Sequence, residues 1–414
     1  MRLALSVLLL NSLAAFFSGA QEATTESQRA RIPDVAVTPP DVVPPGDYSV
    51  ILISVDGLRP DAIITHGPDS VPAFYRLRRE GAFTDNARTA DDFTITLPNH
   101  VGMITSRMVS GPAGHGWTWN KDPLIGANLH RNKGEYLESV FSVAHDHGLS
   151  TALYASKSKF SLFDLSFDEK NGRPDLTGED NGRDKIDAFI HASLSESVID
   201  DLEEVMKQES FDFLMVHIRT PDTAGHGFSW TTSRPSIYMS SVKKADELLE
   251  DIFEQVEKNP AWKGRTYLVL TADHGGLTGA KEHDAFWERE NFTIPFYVWG
   301  PRIPAGADLY ELNALTRRDP GVLNPSADPT VPQTLNLLAD PQAPDATLPP
   351  VVFSPPPVTI MPQPVALTNM PPIRNADAGN LCLSLLGLPP IPGSTVNAKQ
   401  DLKVRSEPPA SATP

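Results

Sequence analysis

The sequence has little cysteine and comparatively few basic residues. One of its 414 residues is cysteine (Cys382), which excludes an internal disulfide, a zinc ribbon and any cysteine-ligated cluster. Lys and Arg together number 35 against 52 Asp and Glu, which gives a net charge of −17. That balance argues against binding to a nucleic-acid polymer, because its phosphate backbone is bound by clustered Lys and Arg. It leaves open an enzyme that acts on small phosphates with the help of bound metal ions.

An apolar run near the N-terminus, Leu3–Phe17, indicates a targeting segment. Arg2 precedes this run and Ser18-Gly19-Ala20 follows it, which predicts a cleaved secretory signal peptide over residues 1–20. A stable membrane anchor is disfavoured, because Ser and Asn interrupt the run and it is shorter than about 20 residues. Export without disulfides favours a secreted or periplasmic location.

Proline is abundant, with 39 residues against an ordinary usage of about 5%. The prolines concentrate in a lead-in at 21–47 and in a stretch at about 320–372, where neither a helix nor a central strand is expected. We therefore predict one large domain over 48–398 that carries this proline-rich insertion, followed by a C-terminal tail at 399–414.

Continuous apolar, β-branched runs between these segments predict strands that are buried on both faces. They are Ser49–Val55, Thr151–Ala155, Phe211–Ile218, Thr266–Thr271 and Ile294–Val298. Helical periodicity occurs in Ser195–Gln208, Ile237–Val256 and Ala376–Leu386, the last with Cys382 as a buried apolar residue. Strands that alternate with such helices predict an α/β fold with a mostly parallel central sheet sandwiched between helices.

Acidic residues and histidines follow three of the predicted strands. Asp56 ends the first run, Asp222 and His226 follow FDFLMVHI, and Asp273 and His274 end TYLVLTA. Ligands of α/β sheets bind outside the carboxyl ends of the strands. A single aspartate there is often a helix N-cap, but three clusters at three strand ends favour a site for Zn²⁺ or a similar divalent ion.

A further segment, Thr96-Leu-Pro-Asn-His100, precedes a helix-like stretch. Pro98 suits a first helical turn. The Thr96 hydroxyl either caps that helix or lies where an oxyanion or phosphate would meet its free N–H groups.

Together these motifs resemble the alkaline phosphatase superfamily, and within it the type I phosphodiesterase/nucleotide pyrophosphatase branch. The resemblance covers roughly 48–310 and 372–398. It rests on four motifs in the family's order: SVDGLRPD (54–61), TLPNH (96–100), PDTAGH (221–226) and TADHGG (271–276).

The resemblance implies two metal ions, expected to be Zn²⁺, although other divalent ions are compatible. One ion would be bound by Asp56, Thr96, Asp273 and His274. The other would be bound by Asp222, His226 and a further histidine that lies late in the chain in the family. Here the histidines end at His283, which is therefore the expected third ligand.

The implied chemistry is hydrolysis of phosphodiester or nucleotide pyrophosphate bonds in a small-molecule substrate. Thr96 would attack phosphorus to form a covalent phosphothreonine that water then hydrolyses, with two ions clamping the reacting oxygens. Asn99 is expected to donate its amide to a phosphate oxygen. Weaker substrate-binding candidates are Asn120 and Trp117, of which Trp117 is more simply explained by packing. Lys157 and Lys159 are expected to be solvated.

Two other functions stay open. A phosphomonoesterase on the same scaffold needs an additional positive group, for which Arg59 and Arg219 are candidates. A non-catalytic extracellular binding protein would lack at least one ligand residue, whereas every expected ligand type is present. A sulfatase is disfavoured, because the nucleophile position holds Thr instead of the Cys or Ser from which formylglycine is made.

Overall fold

The structure is a computed structural model that describes residues 47–90, 93–321 and 370–405. The expected signal peptide at 1–20 lies outside the described residues, as do most of the proline-rich lead-in and most of the proline-rich insertion. Their organisation remains a prediction from the sequence.

Within the described residues, eight strands form one sheet. They are β1 (Ser49–Val55), β2 (Ala82–Arg88), β3 (Thr151–Ala155), β4 (Ala188–His191), β5 (Phe213–Ile218), β6 (Thr266–Thr271), β7 (Thr293–Trp299) and β8 (Ala307–Asp308). Their order across the sheet is β4-β3-β5-β1-β6-β7-β2-β8. Only β7 is antiparallel to its neighbours, β6 and β2. The prediction of a mostly parallel sheet is confirmed.

Helices flank the sheet. They are α1 (Pro60–His66), α2 (Pro72–Glu80), α3 (Thr96–Thr105), α4 (Leu129–Lys133), α5 (Val140–Asp146), α6 (Ser161–Phe167), α7 (Ser195–Gln208), α8 (Thr220–Phe228), α9 (Ile237–Lys258), α10 (Arg289–Phe292), α11 (Leu309–Leu312) and α12 (Asp377–Leu385). Helix α9 contacts α1, α2, α7 and α8, whereas α12 contacts α3, α5 and strands β1 and β6. Within the described ranges, no helix is long and apolar enough to span a membrane.

Strand β1 lies at the centre of the sheet, between β5 and β6, and is parallel to both. Successive residues of a strand point to opposite faces, and Ile51 and Leu52 are both 0% exposed. Both faces of the sheet are therefore covered here, as the continuous apolar run predicts.

The sheet differs from the expectation based on apolar runs in the direction of β7 and in three strands, β2, β4 and β8, that match none of the predicted runs. Strand β7 is antiparallel, because a continuous apolar run records burial but not strand direction. Strand β2 has the sequence AFTDNAR, which contains no apolar run, and its pairing with β7 is irregular between Thr84 and Ala87.

The C-terminal part of the described chain packs on the same core. Cys382 on α12 is 0% exposed, and burial raises the pKa of its thiol, in agreement with a structural role. Leu402 and Val404 are also buried in this core, so packed structure continues beyond the expected domain end at 398.

Helix α2 has an N-terminal cap that comes from a distant helix. Its N-cap residue, Val71, has no side chain that could accept a hydrogen bond. The N–H groups of Ala73 and Phe74 donate instead to the carboxylate of Asp246 on α9, at 3.3 and 2.7 Å. The buried Asp246 thus satisfies donors that the helix itself leaves free.

We predict that Asp246→Ala lowers the free energy of unfolding by about 1–3 kcal/mol, because two buried N–H groups lose their acceptor. Asp246→Asn keeps one acceptor oxygen and should lose less. Urea unfolding measures both changes, and Glu250→Ala on an exposed position of the same helix is the control. Equal midpoints for Asp246→Ala and the control would contradict this role.

Candidate active site

Three aspartates meet at the carboxyl edge of the sheet. Asp56 follows β1, Asp222 lies in the first turn of α8 directly after β5, and Asp273 follows β6. These strands are neighbours and run parallel, so their carboxyl ends are adjacent. Asp222 is 2% exposed and the other two are 0% exposed. The structure thus brings together the three clusters that the sequence places at strand ends.

The close approach of these aspartates depends on Gly57. Its φ is +70°, and a Cβ at this position would lie 3.0 Å from Cα of Asp222, so glycine meets both the conformational and the steric requirement. The N–H of Gly57 donates to Oδ1 of Asp273 at 3.1 Å. The N–H of Asp222 donates to the carbonyl oxygen of Asp56 at 3.0 Å. Hydrogen bonds therefore link all three strand ends.

Asp222, His226 and His283 form the first candidate metal group. Oδ1 of Asp222 lies 3.4 Å from Nε2 of His226 and 3.7 Å from Nε2 of His283. Nδ1 of His226 donates to the carbonyl oxygen of Lys281 at 2.7 Å, and Nδ1 of His283 donates to that of Thr94 at 2.5 Å. Because Nδ1 donates in both rings, Nε2 is the nitrogen that each ring can offer to a metal ion at the shared point.

The second group surrounds His274. Its Nε2 lies 3.4 Å from Oδ1 of Asp56, 3.2 Å from Oδ2 of Asp273 and 3.4 Å from the hydroxyl of Thr96. Its Nδ1 donates to the carbonyl oxygen of Gly275 at 2.8 Å, which again leaves the lone pair of Nε2 for the site. These are the four residues that the sequence analysis assigns to one ion.

The donor atoms of both groups fit divalent cations. Oδ1 of Asp56, Oδ1 of Asp222 and Oδ2 of Asp273 are buried and have no hydrogen-bond partner among the described residues. Unpartnered buried carboxylate oxygens are costly unless a cation neutralises them. Burial lowers the pKa of His274 and, together with the nearby His274 ring, places that of His283 well below its ordinary value. Both rings are therefore neutral, the form that binds a metal.

The three aspartates differ in the direction in which their surroundings shift the pKa. Burial opposes ionisation of Asp56 and Asp222, but the ammonium of Lys157 and the neighbouring histidines together outweigh it, so both pKa values lie below the ordinary range. For Asp273, burial and the charge of Asp56 dominate and raise the pKa well above its ordinary value. The site thus has more negative groups than its protein cations compensate.

Thr96 is the first residue of α3, and Ile95 is the N-cap, without a side-chain hydrogen bond to the helix. The alternative that Thr96 is the N-cap is therefore wrong. Its hydroxyl is buried and lies beside Nε2 of His274 at 3.4 Å, among the candidate metal ligands.

Asn99 is not placed as the sequence analysis expects. Its amide donates to the carbonyl oxygens of Phe93 and Ile95 at 2.9 and 3.1 Å. Its Oδ1 accepts from the N–H of Ala90 and from the amide of Asn375, both at 3.0 Å. Because its amide hydrogens are donated within the protein, Asn99 stabilises the approach to α3 and is not directed at a substrate.

Asn120 lies beside the start of α3, next to Thr96. Its Oδ1 accepts from the N–H of Leu97, the residue after Thr96, at 2.9 Å.

Trp117 is 4% exposed and belongs to the hydrophobic core. Its indole N–H donates to the carbonyl oxygen of Trp119 at 2.7 Å. Packing, not stacking on a substrate, therefore accounts for Trp117.

Lys157 is the most informative departure from expectation. It follows β3, the neighbour of β5, and is buried, so the expectation of a solvated lysine is wrong. Its Nζ lies 2.6 Å from Oδ2 of Asp56 and 2.7 Å from Oδ2 of Asp222.

Lys159 is half-buried with Nζ 3.2 Å from Oδ1 of Asn120. Burial and the charge of Lys157 lower the pKa of Lys159 to about 8.

Two supporting residues are absent from the sequence analysis. His217 lies within the apolar run of β5, where its Nε2 donates to Oδ2 of Asp56 at 2.8 Å. Trp230 packs edge-on against the rings of His226 and His283, with centroid distances of 5.2 and 5.6 Å. Its ring needs the space left by glycines at 225 and 276, where a Cβ would lie 2.0 and 2.1 Å from it.

Comparison with known proteins identifies the family of this chain. The family model for type I phosphodiesterase/nucleotide pyrophosphatase matches residues 50–303, so the chain belongs to that family. Membership confirms the resemblance inferred from the motifs. It makes the chain a hydrolase of the alkaline phosphatase superfamily.

Individual known proteins match this chain at low identity or over a short segment. Arylsulfatase K of Xenopus laevis is 32% identical over 103 residues, 24% of this chain and 18% of that protein. The chain thus matches less than a fifth of the length of this curated relative. A solved 2-O GAG sulfatase shares 12% identity and a TM-score of 0.45, over 63% of this chain and 67% of its own. Murine ectonucleotide pyrophosphatase/phosphodiesterase 5 in complex with AMP shares 17% identity and a TM-score of 0.38, over 55% of this chain and 57% of its own.

We predict that His283→Ala lowers bound zinc from about two ions per chain to about one, because the first group loses one of its three side chains. Elemental analysis after equilibration with zinc measures this stoichiometry. His191→Ala, at an exposed position at the end of β4, is the control. Equal zinc content in the two variants would exclude His283 as a ligand.

Proposed function

We propose that the chain hydrolyses phosphodiester or nucleotide pyrophosphate bonds in small molecules, with Thr96 as the nucleophile. The observation that carries this proposal is the position of the Thr96 hydroxyl. It lies at the start of α3 and beside His274, next to buried carboxylates with unpartnered oxygens. A hydroxyl in this position can attack a phosphorus atom whose charge would be neutralised by cations bound to these carboxylates.

The proposed cofactors are two Zn²⁺ ions, since the donors are imidazole nitrogens and carboxylate oxygens. Asp222, His226 and His283 would hold one ion, and the residues around His274 the other. Bound there, the ions would supply Lewis-acid polarisation of the phosphoryl oxygens and neutralise developing charge.

The protein contributes position and direction to the reaction. A new bond forms between Thr96 Oγ1 and phosphorus while the bond to the leaving oxygen breaks, and water then hydrolyses the phosphothreonine. The oxygen of the Asn120 side chain is fixed by the N–H of Leu97, so Asn120 replaces Asn99 as the proposed amide contact to the substrate.

The proposed setting follows from the sequence. A signal peptide over residues 1–20 would deliver the enzyme outside the cytoplasm, in the periplasm or the medium. The net charge of −17 supports small phosphate esters over nucleic-acid polymers as substrates.

We predict that Thr96→Ala lowers kcat/KM for an aryl phosphodiester by about a thousandfold or more, because no other hydroxyl occupies its position. Chelation of metal should remove activity of the unchanged protein to a similar extent. Thr177→Ala, exposed and remote in sequence, should retain full activity. Undiminished turnover by Thr96→Ala would exclude it as the nucleophile.

A phosphomonoester is the second candidate substrate, and the positions of the lysines support it. Arg59 is engaged by Asp61 and by the carbonyl oxygens of Trp230 and Gly276, and therefore is not directed at the site. Lys159, in contrast, lies beside Asn120 at the nucleophile's helix. An ammonium there would favour the second negative charge of a monoester dianion.

Arg219, the other candidate for a positive group, is also engaged within the protein. It donates to the hydroxyl of Thr223 at 3.0 Å and to the carbonyl oxygens of Ser156 and Ser193, both at 3.4 Å. The positive charge that the sequence analysis sought in an arginine is therefore better supplied by lysine.

We predict that Lys159→Met lowers kcat/KM for an aryl phosphomonoester about tenfold more than for the matched diester, because only the monoester carries a second charge. Kinetics with matched aryl monoester, diester and sulfate measure the preference directly. Equal losses on monoester and diester would remove the support for a monoesterase.

A further inference from the structure

Lys157 connects the two candidate metal groups. Asp56 and Asp222 belong to the group with His274, and Asp222 also belongs to the group with His226 and His283. The ammonium of Lys157 contacts a carboxylate oxygen of both aspartates, at 2.6 and 2.7 Å.

The two oxygens of each carboxylate have different partners. Lys157 contacts Oδ2 of Asp56 and Oδ2 of Asp222, and His217 also donates to Oδ2 of Asp56. The Oδ1 atoms have no hydrogen-bond partner among the described residues, and they lie near Nε2 of the candidate ligand histidines, such as His274 at 3.4 Å from Oδ1 of Asp56. Lys157 therefore contacts one oxygen of each carboxylate and leaves the other oxygen, which would be the one that binds a metal ion.

Either the ammonium of Lys157 or bound metal ions can therefore neutralise the buried carboxylates. With Asp273 nearby, three carboxyl groups are buried within one site, and burial of unpaired charge is costly. An ammonium at hydrogen-bond distance from two of them relieves that cost before any ion binds. Once ions are bound, the same ammonium repels them, since like charges lie close together in a buried site.

We propose that Lys157 is a built-in counter-cation, which holds Asp56 and Asp222 together in the metal-free protein and thereby weakens metal binding. The inference rests on the proposed metal site. It makes Lys157 a positioning residue that acts through the two carboxylates, and it implies that the site is formed before metal arrives.

The test compares the unchanged protein with Lys157→Met, which keeps the length of the side chain without its charge. Competition between zinc chloride and a chelator gives the zinc affinity, and thermal unfolding is followed with and without zinc. We expect zinc to bind Lys157→Met about tenfold more tightly. We also expect the substitution to lower Tm, relative to the unchanged protein, by more in the metal-free state than in the zinc-loaded state.

Lys185→Met is the matched control, because Lys185 is equally buried but pairs with Asp146 and Asp175 outside the site. It should lower Tm by the same amount with and without zinc and leave zinc affinity unchanged. Lys157→Arg retains the charge and should bind zinc as the unchanged protein does.

Equal zinc affinity of Lys157→Met and the unchanged protein, or equal Tm losses in the two states, would overturn the counter-cation role. If Lys157→Met folds only with zinc present, the proposal is supported, whereas failure to fold even with zinc contradicts it. Absence of zinc binding by the unchanged protein would instead contradict the proposed metal site.

Discussion

The structure of this site depends on burying three carboxyl groups at the ends of three adjacent strands. Asp56, Asp222 and Asp273 are held together by backbone hydrogen bonds through Gly57, a position where only glycine avoids both strain and a clash. Their mutual repulsion and loss of water would favour separation. Neutral histidines and one ammonium surround them, which leaves unpartnered oxygens directed at a common volume. Positive charge bound in that volume would offset the repulsion between the carboxylates and stabilise the site.

The surrounding residues fix the direction of the ligands. Hydrogen bonds from Nδ1 to backbone carbonyls fix the protonation of His226, His274 and His283, so that each Nε2 carries a lone pair. Trp230 packs on two of these rings and occupies the space left by two glycines of the PDTAGH and TADHGG segments. Metal ligation and core packing are therefore coupled: the same segments supply both the ligands and the cavity for the tryptophan.

Sequence reasoning predicted what depends on local pattern and strand-end position. Asp56 and Asp273 could be assigned because parallel strands present their carboxyl ends at one edge. The direction of β7 could not be predicted, since its apolar run records burial alone. The burial of Lys157 could not be predicted, because it depends on carboxylates that follow two other strands. The side chain was therefore expected to be solvated. The engagement of Asn99 could not be predicted for a similar reason, as only the tertiary fold shows that its amide donates to Phe93 and Ile95.

We propose that the unpartnered carboxylate oxygens and neutral histidines form a site for two divalent cations beside Thr96. Elemental analysis of the purified protein, after equilibration with zinc and removal of free metal, measures the number of bound ions. We expect about two zinc ions per chain, in accordance with the two ligand groups. A chain that retains no zinc under these conditions, while remaining folded, would contradict it.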